Sequence, residues 1–180
     1  MGIGIFYGTQ TGTTESVVNS MVQYLGDLVT THKCIAYATA EEIAAHDFLI
    51  LGGATWGDGE LTDDWADFWP QMDSIDFSGK TVALFALGDQ VGYSDHFVSS
   101  MRYFWDKVQE RGGQIIGLWP TEGYEFTHSD AVVDEGYFAG LAIDEVNQPQ
   151  LTEERVAAWC AFIAEQYSSK FQPSNSSMHK

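Results

Sequence analysis

An α/β fold with a doubly wound parallel sheet, three layers deep, is predicted for this 180-residue chain, and three observations carry the prediction. Short, nearly continuous apolar runs recur, as strands covered on both faces require. Amphipathic stretches at helical spacing alternate with those runs. The loops that leave the runs are rich in Gly, Thr and aromatic residues, and in such sheets ligands sit beyond the carboxyl ends of the strands. Crossovers between the strands are expected to be right-handed.

The first run is Ile3 to Tyr7. It ends in a loop where Thr9, Thr11, Thr13 and Thr14 crowd around Gly12, and a helical pattern follows from Thr14 to Leu25, with Val17, Val18, Met21, Val22 and Leu25 on one face. A strand, a hydroxyl-rich turn and a helix start in that order build an anion site. The first helical turn has unpartnered N–H groups and a partial positive charge, so a phosphate is held there by amides and hydroxyls. No Lys or Arg precedes Lys33, which suits a tightly held phosphomonoester better than one transferred in a reaction. Taken alone, the same residues suit a plain turn and helix N-cap. The loop lacks the Gly-Lys-Ser/Thr ending of a triphosphate loop, and Gly8-x-x-x-Gly12 has the wrong spacing for a dinucleotide fingerprint.

Further runs are read as strands at Cys34 to Tyr37, Phe48 to Leu51, Val82 to Leu87 and Ile115 to Trp119. A second helical pattern covers Asp95 to Glu110, with Phe97, Met101, Phe104, Trp105 and Val108 on one face. A third runs from Thr152 to about Tyr167; Thr152 is the expected N-cap, and Glu153 and Glu154 suit a positive helix start. Residues 120 to 143 interrupt the alternation and read as an insertion that splits the last strand. One domain is expected over residues 1–168, with a fraying tail over 169–180.

Composition narrows the function. Apolar content is 44% and the net charge is −18, so nucleic acid is a poor partner. No apolar run is long enough to cross a membrane, and the start of the chain has no basic region, so no signal peptide is expected. Cys34 and Cys160 sit in apolar settings without metal spacing and read as small buried hydrophobes. A cytoplasmic location is expected. Between Lys33 and Lys80 there is no Lys or Arg but there are ten acids. They read as a docking face for basic partners or as a solvated, salt-adapted surface.

Two more loops carry chemistry: Ala54-Thr55-Trp56-Gly57-Asp58-Gly59-Glu60 and Gly88-Asp89-Gln90-Val91-Gly92-Tyr93-Ser94-Asp95. A Trp and a Tyr at adjacent strand ends bound a slot suited to a flat conjugated ring. Either aromatic alone would read as ordinary packing.

With these loops the chain resembles the flavodoxins, of the long-chain bacterial kind, over about residues 3 to 167. The phosphate-loop pattern is matched at Thr9-Gln10-Thr11-Gly12-Thr13-Thr14, the Thr-Trp loop at Thr55-Trp56, and the Gly-Asp-Gln-x-Gly-Tyr loop at Gly88 to Tyr93. Trp119 to Phe126 and Gly140 to Gln148 look like the long insertion and its exit. The resemblance implies a five-stranded sheet in order 2-1-3-4-5, one non-covalently bound flavin mononucleotide (FMN), and service as a low-potential electron carrier rather than an enzyme. It implies that Thr9 to Thr14, Gln10 included, hold the phosphate. Thr55 and Trp56 bound one ring face and Tyr93 the other. Backbone of Asp58 and Gly59 meets ring N5 and O4, with the Gly57 carbonyl beside N5, and backbone of Asp89, His96 and Val98 meets the pyrimidine edge; Leu87, Gly88 and Phe97 are also implied as cofactor-binding. It also implies a monomer that serves basic faces of redox proteins, including a ferredoxin/flavodoxin–NADP reductase and acceptor enzymes, without metal. Departures are Ala54, where many relatives have Pro, and the Gly57-Asp58 pair, which looks like that of some short-chain members. A quinone reductase-like flavin enzyme of the same fold is the alternative. A receiver-type signalling domain would need a Lys near the last strand.

Overall fold

The computed structural model describes residues 2–9 and 12–171. In chain order its elements are β1 (Ile3–Gly8), α1 (Thr13–Leu25), β2 (Val29–Cys34), α2 (Ala40–Ala44), β3 (Phe48–Ala54), α3 (Asp63–Met72), β4 (Thr81–Leu87) and α4 (Met101–Glu110). Then come β5 (Gln114–Ile116), β6 (Trp119–Pro120), β7 (Val132–Asp134), β8 (Tyr137–Phe138), β9 (Leu141–Ile143) and α5 (Thr152–Phe171).

The main sheet is parallel, in the order β2-β1-β3-β4-β5, and β9 also pairs with β4. β5 lies along Thr81 to Ala83 and β9 along Phe85 to Leu87, so the two pieces share the same side of β4 and make one interrupted fifth strand. Residues between them carry a small antiparallel sheet, β6-β8-β7. This is the split last strand that the sequence suggests.

Side chains on β1, β3 and β4 alternate between two cores, as the two-residue strand period demands. Phe6, Leu49, Leu51, Val82 and Leu84 face Trp65, Phe68 and Met72 of α3 and Phe104 and Val108 of α4. Ile3, Ile5, Phe48, Ile50 and Phe85 face Val17, Val18 and Met21 of α1 and Val156, Trp159 and Ile163 of α5. Both faces are covered, so β1 and β4 are buried along their length.

Several sequence expectations need correction. β2 covers 29–34, not 34–37; Ile35–Tyr37 is a 3-10 turn. β2 is an edge strand that alternates half-buried and exposed residues such as Thr30 and His32, so it lacks the apolar run of a central strand. The last helix extends to Phe171, and Thr152 is not its N-cap but helical backbone continuing a 3-10 turn over Pro149–Leu151. α4 begins at Met101, because turns occupy residues 90–100. The run Ile115 to Trp119 breaks after Ile116, where Gly117 has φ +81°, and Trp119 starts the small sheet. α2 and α3 are absent from the sequence reading. Cys34 is only half-buried, with its thiol donating to the Asp64 carboxylate at 3.4 Å; burial comes first among the causes that push its pKa up. Cys160 is buried, and burial pushes it to about 12.

Candidate functional site

β1, β3 and β4 end side by side at Gly8, Ala54 and Leu87. A cleft of about 520 Å³ opens there. Its lining includes Leu87 and Gly88 after β4, Thr13 and Thr14 at the start of α1, and the aromatic residues Trp56 and Tyr93.

The helix end is shaped by Gly12. Its φ of +88° puts the residue before the helix in left-handed backbone, which glycine adopts without steric cost. The N-cap glycine has no side chain of its own to cap the helix, and Thr13 and Thr14, the first two residues of this 13-residue helix, line the cleft. The loop before it is pre-tied: the Gly12 amide donates to Thr9 Oγ1 at 2.9 Å, and the Thr9 amide donates to Asp64 Oδ2 at 3.1 Å. Asp64 also accepts from the Trp65 amide at 2.8 Å and from the Thr62 hydroxyl.

Trp56 sits in a tight hairpin. Trp56 and Glu60 exchange two main-chain hydrogen bonds, each 2.8 Å, and the turn between them uses positive φ at Gly57 (+51°) and Gly59 (+90°). Thr55 is held from behind by the Leu87 carbonyl, which accepts its amide at 2.8 Å, and by Ser100 Oγ at 2.8 Å. The indole is 49% exposed.

Tyr93, 52% exposed, ends a turn built on Asp89. The Asp89 carboxylate accepts the Gly92 amide at 2.7 Å, the Val91 amide at 3.1 Å and Asn147 Nδ2 at 2.8 Å. Burial, the largest influence, opposes ionisation, yet these donors together hold the pKa below the usual aspartate value. Val98 has φ +47°, an outlier for a β-branched residue, and is fully buried.

Of the residues singled out in sequence, Thr13, Thr14, Thr55, Trp56, Gly57, Leu87, Gly88, Asp89, Tyr93 and His96 line this one cleft. Asp58 and Gly59 lie in the Trp56 hairpin, and Thr9 and Gly12 in the loop before α1. Val98 is buried and does not line the cleft, its amide 3.0 Å from where a Cβ on Gly88 would stand. Phe97 is fully buried and packs on Tyr124, Phe126 and Phe138, so its ring serves the core. Gln10 and Thr11 lie outside the described residues. Glu145 and Val146 also line the cleft and were missed as site residues. The only sequence signal was their place in the exit segment Gly140 to Gln148. No Lys or Arg is among the lining residues described, whereas Asp89 and Glu145 are.

The geometry fits a phosphorylated planar ring. Two exposed aromatics, apolar Leu87 and the hydroxyl residues Thr13 and Thr14 share one cleft, with no Lys or Arg among its described lining residues. Pockets of this size hold cofactors.

The flavodoxin family profile matches residues 5–159. A flavodoxin of Klebsiella pneumoniae is 45% identical over 164 residues, covering 91% of this chain and 93% of the relative. One of Synechocystis sp. is 47% identical over 162 residues, 89% and 95% of the two chains. Among solved structures, Fusobacterium nucleatum flavodoxin bound to flavin mononucleotide superposes with a TM-score of 0.86 at 35% identity, covering 92% of this chain and 98% of that one.

Proposed function

The chain belongs to the flavodoxin family, and from that premise we propose how it works: FMN is clamped in the cleft between Trp56 and Tyr93, and electrons enter and leave there. The chain is an electron carrier, not an enzyme. The observation that carries the site assignment is the convergence of three loops, from the ends of β1, β3 and β4, on one cleft. A quinone reductase-like activity is not favoured by the flavodoxin relatives.

Bound FMN supplies reversible redox chemistry in single-electron steps. Every other part of the mechanism belongs to the chain. Thr9 to Thr14 hold the phosphate through hydroxyls and amides at the start of α1. Trp56 and Tyr93 cover the ring and exclude water, with stacking worth about 1 kcal/mol per aromatic pair beyond area burial. Gly57 would let its carbonyl turn toward the ring edge and accept a hydrogen bond from an N–H there, because glycine tolerates both signs of φ.

Asp89 and Glu145, lining the cleft, oppose extra negative charge there. A unit charge about 10 Å away contributes about 0.4 to 1.7 kcal/mol for effective dielectrics between 80 and 20. Several acids acting together lower the potential of the last reduction step. Asp58, Glu60, Asp63 and Asp67 are exposed beside the cleft or on α3. We assign them to docking of basic faces on redox partners, a ferredoxin/flavodoxin–NADP reductase among them. No described helix is long and apolar enough to cross a membrane, and a cytoplasmic monomer fits this reading.

The test is a redox titration. The FMN complex should bleach in two separate one-electron steps with dithionite, and NADPH plus a quinone should give no turnover without a reductase. Rapid quinone turnover by the chain alone would overturn the carrier reading.

A further inference from the structure

We propose that Gln90 and Asp144 are positioning residues that tie the Tyr93 loop to the insertion, so that filling the cleft and ordering residues 124–127 are coupled. The proposal rests on the FMN site described above.

Asp144, directly after β9, is fully buried, and among the described residues its carboxylate accepts five hydrogen bonds, none from a Lys, Arg or His. Oδ1 accepts from the Val146 amide at 3.0 Å and the Asn147 amide at 2.8 Å. Oδ2 accepts from the Gln90 amide at 3.1 Å, Gln90 Nε2 at 2.7 Å and Asn147 Nδ2 at 2.9 Å. The same Asn147 nitrogen donates to Asp89 Oδ1 at 2.8 Å, so one amide group links two carboxylates. Gln90, 2% exposed, spends its other end on the insertion: its Oε1 accepts the Glu125 amide at 2.5 Å.

A second grip lies on the far side of Tyr93. The Ser94 carbonyl accepts the Thr127 amide at 2.8 Å and the His128 amide at 2.9 Å, and Ser129 Oγ donates to the Phe97 carbonyl. Main chain of the insertion therefore holds the Tyr93 segment at both ends. Burying Gln90 and Asp144 is tolerable only while these bonds are made. If a bound ring fixes Tyr93, the insertion is fixed with it, because coupling between sites is reciprocal.

The experiment uses FMN itself as probe. Its dissociation constant is measured by flavin fluorescence for the native chain, Gln90→Met, Tyr93→Ala and the double variant, and exchange of the Glu125 and Thr127 amides is followed by NMR with and without FMN. FMN should slow those amides in the native chain. Gln90→Met should weaken binding by about tenfold, but far less when Tyr93 is already Ala, since residues acting through one another are not additive. Asp144→Asn, which keeps the shape and loses acceptor capacity, should repeat the pattern if Gln90→Met folds poorly. Equal losses in both Tyr93 backgrounds, or amides whose exchange ignores FMN, would overturn the coupling alone. A native chain that takes no FMN would instead remove the cofactor assignment, and the coupling with it.

Discussion

Gly57 and Asp64 act at the scale of single residues, one by what it lacks and the other by what it accepts. At Gly57, φ is +51° and a Cβ would meet nothing within 4 Å, so backbone conformation, not space, is the constraint. Gly57→Val disfavours that conformation, since β-branched residues avoid positive φ. We expect the two one-electron potentials of the FMN complex to move closer together in a redox titration; unchanged potentials would contradict a turning 57–58 peptide. Asp64 receives the Thr9 and Trp65 amides, the Thr62 hydroxyl and the Cys34 thiol. Asp64→Ala leaves several of those donors without a partner and should destabilise the fold by about 1–3 kcal/mol, read from the urea midpoint. In the sequence Asp64 is one acid among ten and reads as surface charge. Two of its partners, Cys34 and Thr9, lie 30 and 55 positions away, a separation that no local pattern encodes.

At the scale of elements, central strands and long helices were readable because burial on both faces leaves an unbroken apolar run. β2 was misplaced because an edge strand needs no such run. α3 was missed although its buried residues, Trp65, Phe68 and Met72, sit at helical spacing, because Pro70 within the segment reads as a helix breaker. α2 spans only five residues, too short for periodicity, although its Thr39–Glu42 capping box was present to be read. The cleft loops were readable through glycine and aromatic spacing, whereas Glu145 and Val146 enter the cleft only because β9 ends beside β4. The Tyr93 loop carries a pH prediction. The folded pKa of Asp89 is lowered, so its stabilising effect is complete above the ordinary aspartate value of about 4 and is lost as pH falls through the lower folded value. The native fold should therefore lose stability, read from the urea midpoint, as pH drops below about 4, and Asp89→Asn should flatten the part of that profile due to this group.

For the whole molecule, a charge of −18 sets behaviour toward partners. Exposed charges are screened beyond about 10 Å at 0.1 M salt, so electron transfer to a basic reductase should slow as ionic strength rises in stopped-flow mixing. Rates that ignore salt would remove the acids from docking. The doubly wound sheet explains why one end of the molecule gathers its chemistry. Parallel strands deliver their following loops to the same edge, and the divided fifth strand places the insertion against the Tyr93 segment. The most direct test of the account is titration of the flavin-free chain with FMN while its fluorescence is watched. One flavin per chain should bind with strong quenching, and Trp56→Ala combined with Tyr93→Ala should weaken binding by about tenfold or more. Emission that stays bright at saturating protein would contradict a ring enclosed between those two side chains.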